Sequence, residues 1–494
     1  MTGLVSYKMF IDGAWVDASD GRTFDSINPT TEMPWCKLPE ATEYDINSAV
    51  EAAHRAFTNG EWAGLTPTAR GKYLRRLAEL LADQSEHLGR IETIDTGKML
   101  KETKWQAKYI AEFFQFYAGC ADKVQGATLP IDKPDMMTLT LREPLGVVAA
   151  IVPWNSQLFL VAVKIGPALA AGNTVVLKAS EYASAAMLEF GKIVEAAGFP
   201  PGVINIVTGH SDPCGRALTS HPLVQRISFT GGTNAARHVA RNAAENFAQV
   251  SLELGGKSPF IVFDDANIDS AVNGSIAGIF GASGQSCVAG SRLYLHDDIA
   301  NEFLEKLVAQ ANQIRIGDPL DDATQMGPLA TMAQITHIEE QVKLAVAEGG
   351  RLLVGGKRPT NPTTGLYFEP TIIECHRQDM TIVDTELFGP VLSVLRFREE
   401  EEVLAYANDT KYGLAAGVFT ADGARSLRMA NALRAGIVWV NTYRVVSPIA
   451  EFGGFKESGY GRESGMQAIY DYTRPKTVWL NMSTESMANP FVMS

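Results

Sequence analysis

The sequence predicts an α/β fold with two doubly wound α/β domains, each built around a mostly parallel sheet. Short apolar runs of strand length alternate with segments of helix length between residues 145 and 265. A second alternating region follows Cys287 and continues to residue 441. The strand-like runs are continuously apolar, which is typical of a parallel sheet that helices cover on both faces.

The individual elements follow from the same alternation. In the first region the predicted strands are residues 145–152, 174–179, 202–209, 226–231 and 259–266, and the predicted helices are 157–172, 184–198 and 234–248. In the second region the predicted strands are 292–299, 371–375, 393–397, 415–420 and 436–441, and the predicted helices are 301–316, 399–409 and 421–433. Long amphipathic runs predict further helices between 46 and 117. We expect the domain boundary near Gly255-Gly256.

Composition excludes several classes of protein. The chain has 494 residues and a net charge of −13, which argues against a nucleic-acid binder or a basic membrane-surface protein. Its longest apolar run, 145–154, is too short to span a bilayer. The first residues lack a basic segment followed by an apolar one, so we expect a cytoplasmic protein.

Cysteine and histidine spacing gives no sign of a disulfide framework or a metal site. The five cysteines are scattered, odd in number and without a C-x-x-C pair, and the eight histidines form no H-x-x-x-H pair. Cys287 stands apart from the other cysteines because glycines and small residues surround it in the segment FGASGQSCVAG, 280–290. It is either a small core residue in a glycine-rich turn or a thiol that a ligand can approach.

Polar residues follow several predicted strands, where open parallel sheets bind their ligands. Thr230-Gly231-Gly232 opens a helix, whose free N–H groups could bind phosphate, although an ordinary turn would look the same. Lys178 and Glu181 could hold ribose hydroxyls or form a surface pair. Asn155 could cap the next helix. Glu253 and Glu386 each stand beside a glycine-containing turn, and alone either could be a surface carboxylate.

Taken together, in order and spacing, these motifs resemble those of the aldehyde dehydrogenase superfamily, and the resemblance covers nearly the whole chain. The motifs are Pro153-Trp154-Asn155, Lys178 with Glu181, Phe229-Thr230-Gly231, Glu253-Leu254-Gly255-Gly256-Lys257, Gly284-Gln285-Ser286-Cys287, Glu386-Leu387-Phe388-Gly389-Pro390 and Phe452-Gly453-Gly454 with Ser458-Gly459. The resemblance implies NAD(P)-dependent oxidation of an aldehyde to a carboxylic acid through a thiohemiacetal and a thioester.

The resemblance assigns catalytic roles to five residues. Cys287 would be the nucleophile, and the Asn155 amide would hold the oxyanion together with the Cys287 N–H. Glu253 would activate the water that hydrolyses the thioester. Lys164 and Glu463 would relay protons behind Glu253.

The cofactor residues follow in the same way. The resemblance places nine positions at the cofactor: Trp154, Lys178, Glu181, Thr230, Gly231, Gly232, Leu254, Glu386 and Phe388. A carboxylate at Glu181 would repel a 2′-phosphate, so we expect NAD, with NADP as the alternative. No metal is expected. Gly232 stands where the family usually has Ser and Ala236 where Gly is frequent, which would weaken cofactor affinity.

Departures from the family pattern predict the substrate. Ser156 and Gln157 replace the usual Phe-Pro, and Val163 replaces a frequent aromatic residue. With Ser286, Val288 and Phe452, these residues predict a wide and polar substrate pocket. We therefore expect a polar, functionalised aldehyde, a semialdehyde or a cyclic hydroxy compound as the substrate.

The resemblance also implies the domain organisation. Residues 1–121 and 145–255 would form a Rossmann-like dinucleotide-binding domain, and 256–457 the catalytic domain. Residues 122–144 and 458–494 would form a small β oligomerisation arm and the C-terminal tail, which implies a homodimer or homotetramer. Two alternatives stay open. One is a CoA-acylating aldehyde dehydrogenase, which Glu253 argues against. The other is a non-catalytic binding or structural protein on the same fold.

Overall fold

The computed structural model describes residues 4–487 and 489–492. The strands are β1 (Val5–Ser6), β2 (Met9–Ile11), β3 (Ala14–Val16), β4 (Thr23–Asn28), β5 (Met33–Pro39), β6 (Thr128–Leu129), β7 (Met136–Pro144), β8 (Val147–Ile151), β9 (Thr174–Lys178), β10 (Ile204–Val207), β11 (Val224–Thr230), β12 (Gln249–Glu253), β13 (Pro259–Val262), β14 (Arg292–His296), β15 (Arg351–Val354), β16 (Thr371–Glu374), β17 (Val391–Phe397), β18 (Ala415–Phe419), β19 (Ile437–Val440), β20 (Gly459–Tyr460) and β21 (Thr473–Asn481). The helices are α1 (Glu43–Thr58), α2 (Pro67–Asp83), α3 (Ser85–Thr96), α4 (Leu100–Cys120), α5 (Gln157–Ala171), α6 (Ala185–Ala196), α7 (Arg216–Thr219), α8 (Thr233–Asn246), α9 (Ile268–Phe280), α10 (Asp297–Ala311), α11 (Met332–Ala347), α12 (Thr381–Asp384), α13 (Glu400–Asn408), α14 (Gly423–Ala432) and α15 (Gly465–Asp471).

The first large sheet has eight strands in the order β20-β12-β11-β8-β9-β10-β2-β3. Its five central strands are parallel, and β20, β2 and β3 join antiparallel at the two edges. Neighbouring residues of β8 point to opposite faces of the sheet. Val147 packs with residues of α1 and α8, and Val148 packs with residues of α4, α5 and α6. Helices therefore cover both faces, as the apolar strands predict.

The second large sheet has the order β15-β16-β17-β14-β13-β18-β19 and is parallel except for the β15–β16 pair. Phe260 of β13 packs with α9 and α10 residues on one face, and Ile261 packs with α11, α13 and α14 residues on the other. The prediction of two doubly wound sheets is confirmed by this topology. Among the described residues, no helix combines the length and hydrophobicity needed to span a bilayer.

The strand predicted at 292–299 ends earlier than expected. β14 stops at His296 and α10 begins at Asp297, because the His296 ring accepts a hydrogen bond from the Asp298 N–H (3.3 Å) and two aspartates occupy the first turn. Carboxylates in a first turn interact favourably with the helix dipole. The apolar pattern alone did not reveal this helix start.

Two smaller sheets complete the fold. One has the order β1-β5-β4, and the other is the antiparallel sheet β21-β7-β6. The predicted arm segments supply β6, β7 and β21, whereas β20, also within 458–494, pairs with β12 of the first large sheet. The domain division stays a prediction, and its terminal residues 1–3, 488 and 493–494 lie outside the described residues.

Candidate active site

Cys287 lies on a loop that leaves α9 through a sharp turn. Ala282 and Ser283 both adopt left-handed conformations, with φ of 53° and 56°, and Gly284 follows with φ of 75°. Such values are unfavourable for residues with a side chain and persist only where surrounding contacts enforce them. The Ser283 hydroxyl donates to the Gly327 carbonyl (2.8 Å), and the Ala282 N–H donates to Glu102 Oε1 (3.3 Å). The turn is therefore fixed from both sides.

Glycines let other segments approach this loop closely. A Cβ at Gly284 would lie 2.1 Å from the Gly389 carbonyl oxygen, and one at Gly256 would lie 2.7 Å from the Cys287 carbonyl oxygen. A Cβ at Gly255 would lie 1.9 Å from Glu386 Oε2. The Gly255-Gly256 pair is thus needed where the segment between β12 and β13 passes between the cysteine loop and Glu386.

The thiol itself is partly buried, whereas Cys36, Cys120, Cys214 and Cys375 are buried. Burial raises the pKa of the Cys287 thiol to about 12, and the negative charges of Glu386 and Glu253 act in the same direction. Both carboxylates therefore lie within electrostatic range of the sulfur. Because the thiolate is the reactive form, this thiol needs a nearby base to act as a nucleophile.

Asn155 faces the same loop from the carboxyl end of β8. Its side chain is buried, and its Nδ2 donates to the Gln285 carbonyl oxygen (3.0 Å), two residues before the cysteine. An amide nitrogen carries two N–H donors, so one remains for another acceptor. Asn155 and the cysteine loop are thus in direct contact although 130 positions separate Asn155 from Gln285.

Glu253 ends β12 as a buried carboxylate, and both of its oxygens lack a hydrogen-bond partner among the described residues. Its Oε1 lies against the backbone of Gly453, where a Cβ would come within 2.7 Å. Burial and the charge of Glu463 raise the pKa of Glu253 well above its usual value, and Lys164 and Arg462 act against this shift. An unpartnered carboxylate with a raised pKa is a strong base once it is ionised.

Behind Glu253 lies a buried ion pair between Lys164 of α5 and Glu463. The Ser228 hydroxyl bridges it, at 3.2 Å from Lys164 Nζ and 3.1 Å from Glu463 Oε1. All three side chains are almost fully excluded from solvent. Ser228 is a site residue that sequence analysis missed, because a serine within an apolar strand has no distinguishing local pattern.

A groove of about 710 Å³ opens at the carboxyl ends of β8, β9 and β11. Six of the nine predicted cofactor residues line it: Trp154, Lys178, Glu181, Thr230, Gly231 and Gly232. The groove also includes Asn234, His238 and Asn242, which sequence analysis did not single out. Their spacing of four residues along α8 places them on one face of the helix, and this periodicity was a usable signal.

At the end of β9, Lys178 Nζ donates to the Ala179 carbonyl (3.0 Å) and lies 3.8 Å from Glu181 Oε2. Lys178 is almost entirely buried, whereas Glu181 is about a quarter exposed, at 26%. The pair therefore sits in the groove wall with its carboxylate toward solvent. Among the described residues, no group of three or more His, Cys, Asp or Glu side chains could hold a metal ion.

The other three predicted cofactor residues lie outside the groove. Leu254 is buried and its N–H donates to the Ser458 carbonyl (3.0 Å). Glu386 accepts a hydrogen bond from the Gly256 N–H (3.0 Å), and burial raises its pKa to about 7. Phe388 meets the Trp154 ring edge-on, with the centroids 5.5 Å apart. Phe388 thus connects the groove lining to the segment beside Cys287.

The predicted substrate residues occupy different environments. The Ser156 hydroxyl accepts a hydrogen bond from Lys98 Nζ (2.9 Å), and Ser286 is partly buried beside Cys287. Gln157, Val163 and Val288 are buried, and Phe452 is bridged to Glu463 through two backbone hydrogen bonds. Sequence analysis missed Lys98, which enters this region from the connection between α3 and α4.

Comparisons with known proteins agree with this architecture. A model of the aldehyde dehydrogenase family matches residues 15–478. The (Z)-2-((N-methylformamido)methylene)-5-hydroxybutyrolactone dehydrogenase of Acinetobacter baylyi is 53% identical to this chain over 488 residues, covering 99% of each chain.

Two solved structures show the same fold. A betaine aldehyde dehydrogenase point mutant from Staphylococcus aureus, crystallised in complex with NAD+, is 38% identical with a TM-score of 0.96, covering 99% of this chain and 98% of that chain. An NAD+ complex of an aldehyde dehydrogenase from Bacillus cereus is 39% identical with a TM-score of 0.95, covering 97% of each chain. Because the family model and these relatives match from near one end of the chain to the other, the chain belongs to the aldehyde dehydrogenase family.

Proposed function

We propose that this chain oxidises an aldehyde to a carboxylic acid with NAD+ as the acceptor, using Cys287 as the nucleophile. The observation that carries the proposal is the meeting of three groups at one loop. They are the partly buried Cys287 thiol, the buried Asn155 amide and the unpartnered Glu253 carboxylate. Each comes from a different part of the chain, and together they supply a nucleophile, an oxyanion donor and a base.

The first step is attack of the Cys287 sulfur on the aldehyde carbon. The thiol proton leaves to Glu253, the carbon–sulfur bond forms, and the carbonyl electron pair moves onto oxygen. The free N–H of the Asn155 amide and the Cys287 backbone N–H stabilise that oxyanion. Removing one such donor typically costs on the order of 10²–10³ in rate.

The groove fits a dinucleotide. It lies at the carboxyl ends of parallel strands, where such sheets bind nucleotides, and α8 begins at its floor with free N–H groups that suit a phosphate. Lys178 and Glu181 would hold the adenosine ribose, Gly231 and Gly232 would lie near phosphate, and Glu386 would hold the nicotinamide ribose. A dinucleotide held in this way would supply the acceptor for the hydride that leaves the carbon attached to Cys287.

Glu253 then completes the reaction. After the proton taken from the thiol has left Glu253, the ionised carboxylate removes a proton from water, the hydroxide oxygen attacks the thioester carbon, and the carbon–sulfur bond breaks to release the acid and the thiolate. The Lys164–Glu463 pair lies behind Glu253 and its two charges act on the Glu253 pKa in opposite directions. Transfer through this pair and Ser228 would carry the proton away from Glu253.

Two observations support NAD+ and a polar substrate. The Glu181 carboxylate faces the groove, where it would repel a 2′-phosphate. Ser156, which replaces a common aromatic residue, places a hydroxyl next to Asn155. The Acinetobacter relative is named for a hydroxybutyrolactone, a cyclic hydroxy compound, which supports a functionalised aldehyde or cyclic hydroxy compound as the substrate here.

The arm segments support a homo-oligomer. Within the part of the chain that the structure describes, strand β21 pairs only with β7, so its outer edge carries free backbone groups. Met137, Leu141, Trp479 and Leu480 on these strands are exposed large apolar residues. An open strand edge beside exposed apolar side chains is a surface that another copy of the chain could cover. We infer a dimer or tetramer, with residues 1–121 and 145–255 binding the cofactor and 256–457 carrying the nucleophile.

The test measures NADH formation across a panel of aliphatic, aromatic and oxygen-bearing aldehydes. We expect Cys287→Ala to abolish NADH formation with every aldehyde that the native enzyme oxidises, while Cys120→Ala, at a cysteine remote from the site, keeps the native rate. NADH formation that is unchanged in Cys287→Ala would overturn the proposal. Adding CoA separates the acylating alternative, because a hydrolytic enzyme gives the free acid at the same rate with and without CoA.

A further inference from the structure

The cofactor groove extends away from Cys287 to the place where α7 and α8 meet. Trp154 lines the groove and contacts Phe388, which marks the end toward Cys287. Thr219 of α7 and Asn242 of α8 line the groove elsewhere and are hydrogen-bonded to each other. Asn242 follows the first residue of α8 by nine positions, about 14 Å along the helix axis. Since the nicotinamide has to lie toward Cys287, the adenosine would occupy the space toward Asn242.

The side-chain amide of Asn242 is held in one orientation. Its Nδ2 donates to the Thr219 hydroxyl oxygen (2.8 Å). Thr219 is 2% exposed, and its hydroxyl proton goes to the carbonyls of Gly215 (2.8 Å) and Arg216 (3.3 Å). A hydroxyl has only one proton, so toward Asn242 the Thr219 oxygen can only accept. The amide must therefore present its NH₂ group to Thr219 and keep its oxygen, Oδ1, for another partner.

That second partner is missing from the protein, because no group among the described residues donates a hydrogen bond to Asn242 Oδ1. Asn242 is half-buried in the groove lining. Asn234 and His238 lie on the same face of α8, but both are exposed and neither forms a side-chain hydrogen bond within the described chain. Asn242 is therefore the residue on this face of α8 that offers a ligand an acceptor in a fixed orientation.

Asn242 could serve only to tie α8 to α7, and Asn246 shows what such a tie looks like. One turn further along α8, Asn246 Nδ2 donates to the His221 carbonyl (2.6 Å), in the connection that follows α7. Its Oδ1 accepts from the Ala248 N–H (3.2 Å), and Asn246 does not line the groove. Asn246 thus uses both ends of its amide within the protein, whereas Asn242 uses one.

We propose that Asn242 Oδ1 accepts a hydrogen bond from the 6-amino group of the cofactor's adenine, so that this chain selects the base of the dinucleotide. This inference rests on the proposed function, since it assigns a residue to the same cofactor groove. The 6-amino group is the hydrogen-bond donor on the edge of adenine, whereas hypoxanthine carries an acceptor oxygen at that position. Two acceptors that face each other form no hydrogen bond, and both are left without a partner.

The experiment compares NAD+ with nicotinamide hypoxanthine dinucleotide, which differs from it only in the base. Isothermal titration calorimetry without aldehyde measures the Kd of each. We expect the native protein to bind NAD+ more tightly by about 3- to 12-fold, the usual contribution of one hydrogen bond between neutral groups. In Asn242→Leu this ratio should fall to near one, whereas Asn242→Asp, which keeps an acceptor oxygen, should retain the preference. The ratio of the two kcat/KM values with one aldehyde should change in the same way.

Asn246→Leu is the matched control, because it removes a tie between the same parts of the chain without changing the groove lining, and it should keep the native ratio. Thr219→Val should lower the ratio although Asn242 is still present, since the amide loses the oxygen that orients it. Thermal unfolding checks that each variant folds. A native ratio near one, an unchanged ratio in folded Asn242→Leu, or an equal fall in Asn246→Leu overturns this inference. A protein that prefers NAD+ in binding but reduces it with no aldehyde instead overturns the proposed function.

Discussion

Two buried clusters that contain ionisable groups differ in how their charges are paired. The first, here the relay cluster, consists of Lys164, Ser228 and Glu463, and its charges are in direct contact. The second, here the wall cluster, consists of Glu92, Asp95, Lys98 and Gln157. Within it no carboxylate lies within 4.0 Å of the Lys98 ammonium. Both clusters are almost fully excluded from solvent.

The wall cluster responds to burial by shifting toward neutral forms. Burial raises the pKa of Glu92 to about 7 and that of Asp95 to about 6, and it lowers the pKa of Lys98. Asp95 retains partners for its charged form, including Ser26 and Trp35. A group in low dielectric keeps its charge when it is paired and tends to lose it when it is not. The raised pKa values of Glu92 and Asp95 should therefore make the stability of the protein depend on pH through the wall cluster.

Glu253 sharpens this comparison, because it adjoins the relay cluster but, like Glu92 of the wall cluster, has no hydrogen-bond partner for its carboxylate among the described residues. Its raised pKa means that the ionised base increases with pH above the ordinary glutamate value, so kcat should rise with pH wherever deacylation limits turnover. We expect Glu253→Gln to lower kcat by about 10²–10⁴-fold and to remove that rise. The first burst of NADH in rapid-mixing experiments should slow as well, because Glu253 takes the thiol proton before the attack. An exposed control, Glu305→Gln on α10, should change neither; equal turnover in both variants would refute the role of Glu253.

Breaking the relay pair should give the next largest effect. Lys164→Met leaves the Glu463 carboxylate buried without its cation, and removing one partner of a buried pair typically costs about 3–5 kcal/mol. Urea titration measures the free energy of unfolding. The double variant with Glu463→Gln should recover part of the loss, because no uncompensated charge remains. Lys306→Met, in an exposed pair with Asp269 (2.7 Å), is the control, with an expected loss below about 1 kcal/mol. Equal losses in both lysine variants would mean that burial does not distinguish the pairs.

The two clusters also differ in how far the sequence predicts them. Continuously apolar strands predicted the sheets, and the motifs at their carboxyl ends marked the residues that line the groove. Lys164 and Glu463 were assigned through the family resemblance, whereas Ser228 has no local pattern that marks it. Of the wall cluster, sequence analysis singled out only Gln157, as a substrate residue. Lys98 falls within a stretch predicted to be helical, and its contact with Ser156 joins residues 58 positions apart.

Contacts of this kind depend on how helices and loops pack, which one sequence does not specify. Periodicity reports whether a side chain is buried, and it says nothing about which distant side chain lies beside it. The same holds for Arg444, whose packing against Gly281 depends on where the loop after β19 meets the end of α9. The cofactor groove was easier to predict because strand ends of one parallel sheet meet at a common edge.

Within the wall cluster, Glu92→Gln should change stability in a way that depends on pH. The folded protein holds the Glu92 proton up to about pH 7, whereas the unfolded chain releases it near the ordinary value of 4.5. The unfolded state therefore binds fewer protons in this window, and stability falls as pH rises from about 4.5 to 7. Glutamine has no proton to lose. We expect the variant to gain on the order of 1–3 kcal/mol relative to the native protein between acidic and mildly alkaline pH.

Thermal and urea unfolding at both ends of that window measure the gain, with the exposed Glu79→Gln as the control. A difference between variant and native protein that is the same at both pH values would show that Glu92 is ionised in the folded state. The wall cluster would then hold buried charge without pairing, and the contrast with the relay cluster would disappear.

The smallest stability effect is expected at the Lys178–Glu181 pair, which is neither fully buried nor in close contact, at 3.8 Å with the carboxylate partly exposed. Glu181→Gln should change the free energy of unfolding by less than about 1 kcal/mol, since solvent screens such pairs.

Its functional effect should be visible instead in the preference between NAD+ and NADP+, because the carboxylate that repels a 2′-phosphate is gone. We expect the ratio of kcat/KM for NADP+ to that for NAD+ to rise by about five- to tenfold, which corresponds to about 1 kcal/mol, the repulsion between two charges about 4 Å apart in water. If Glu181→Gln instead destabilised the fold as much as Lys164→Met, close contact and burial would not explain why the relay cluster contributes more to stability than other ion pairs in this chain.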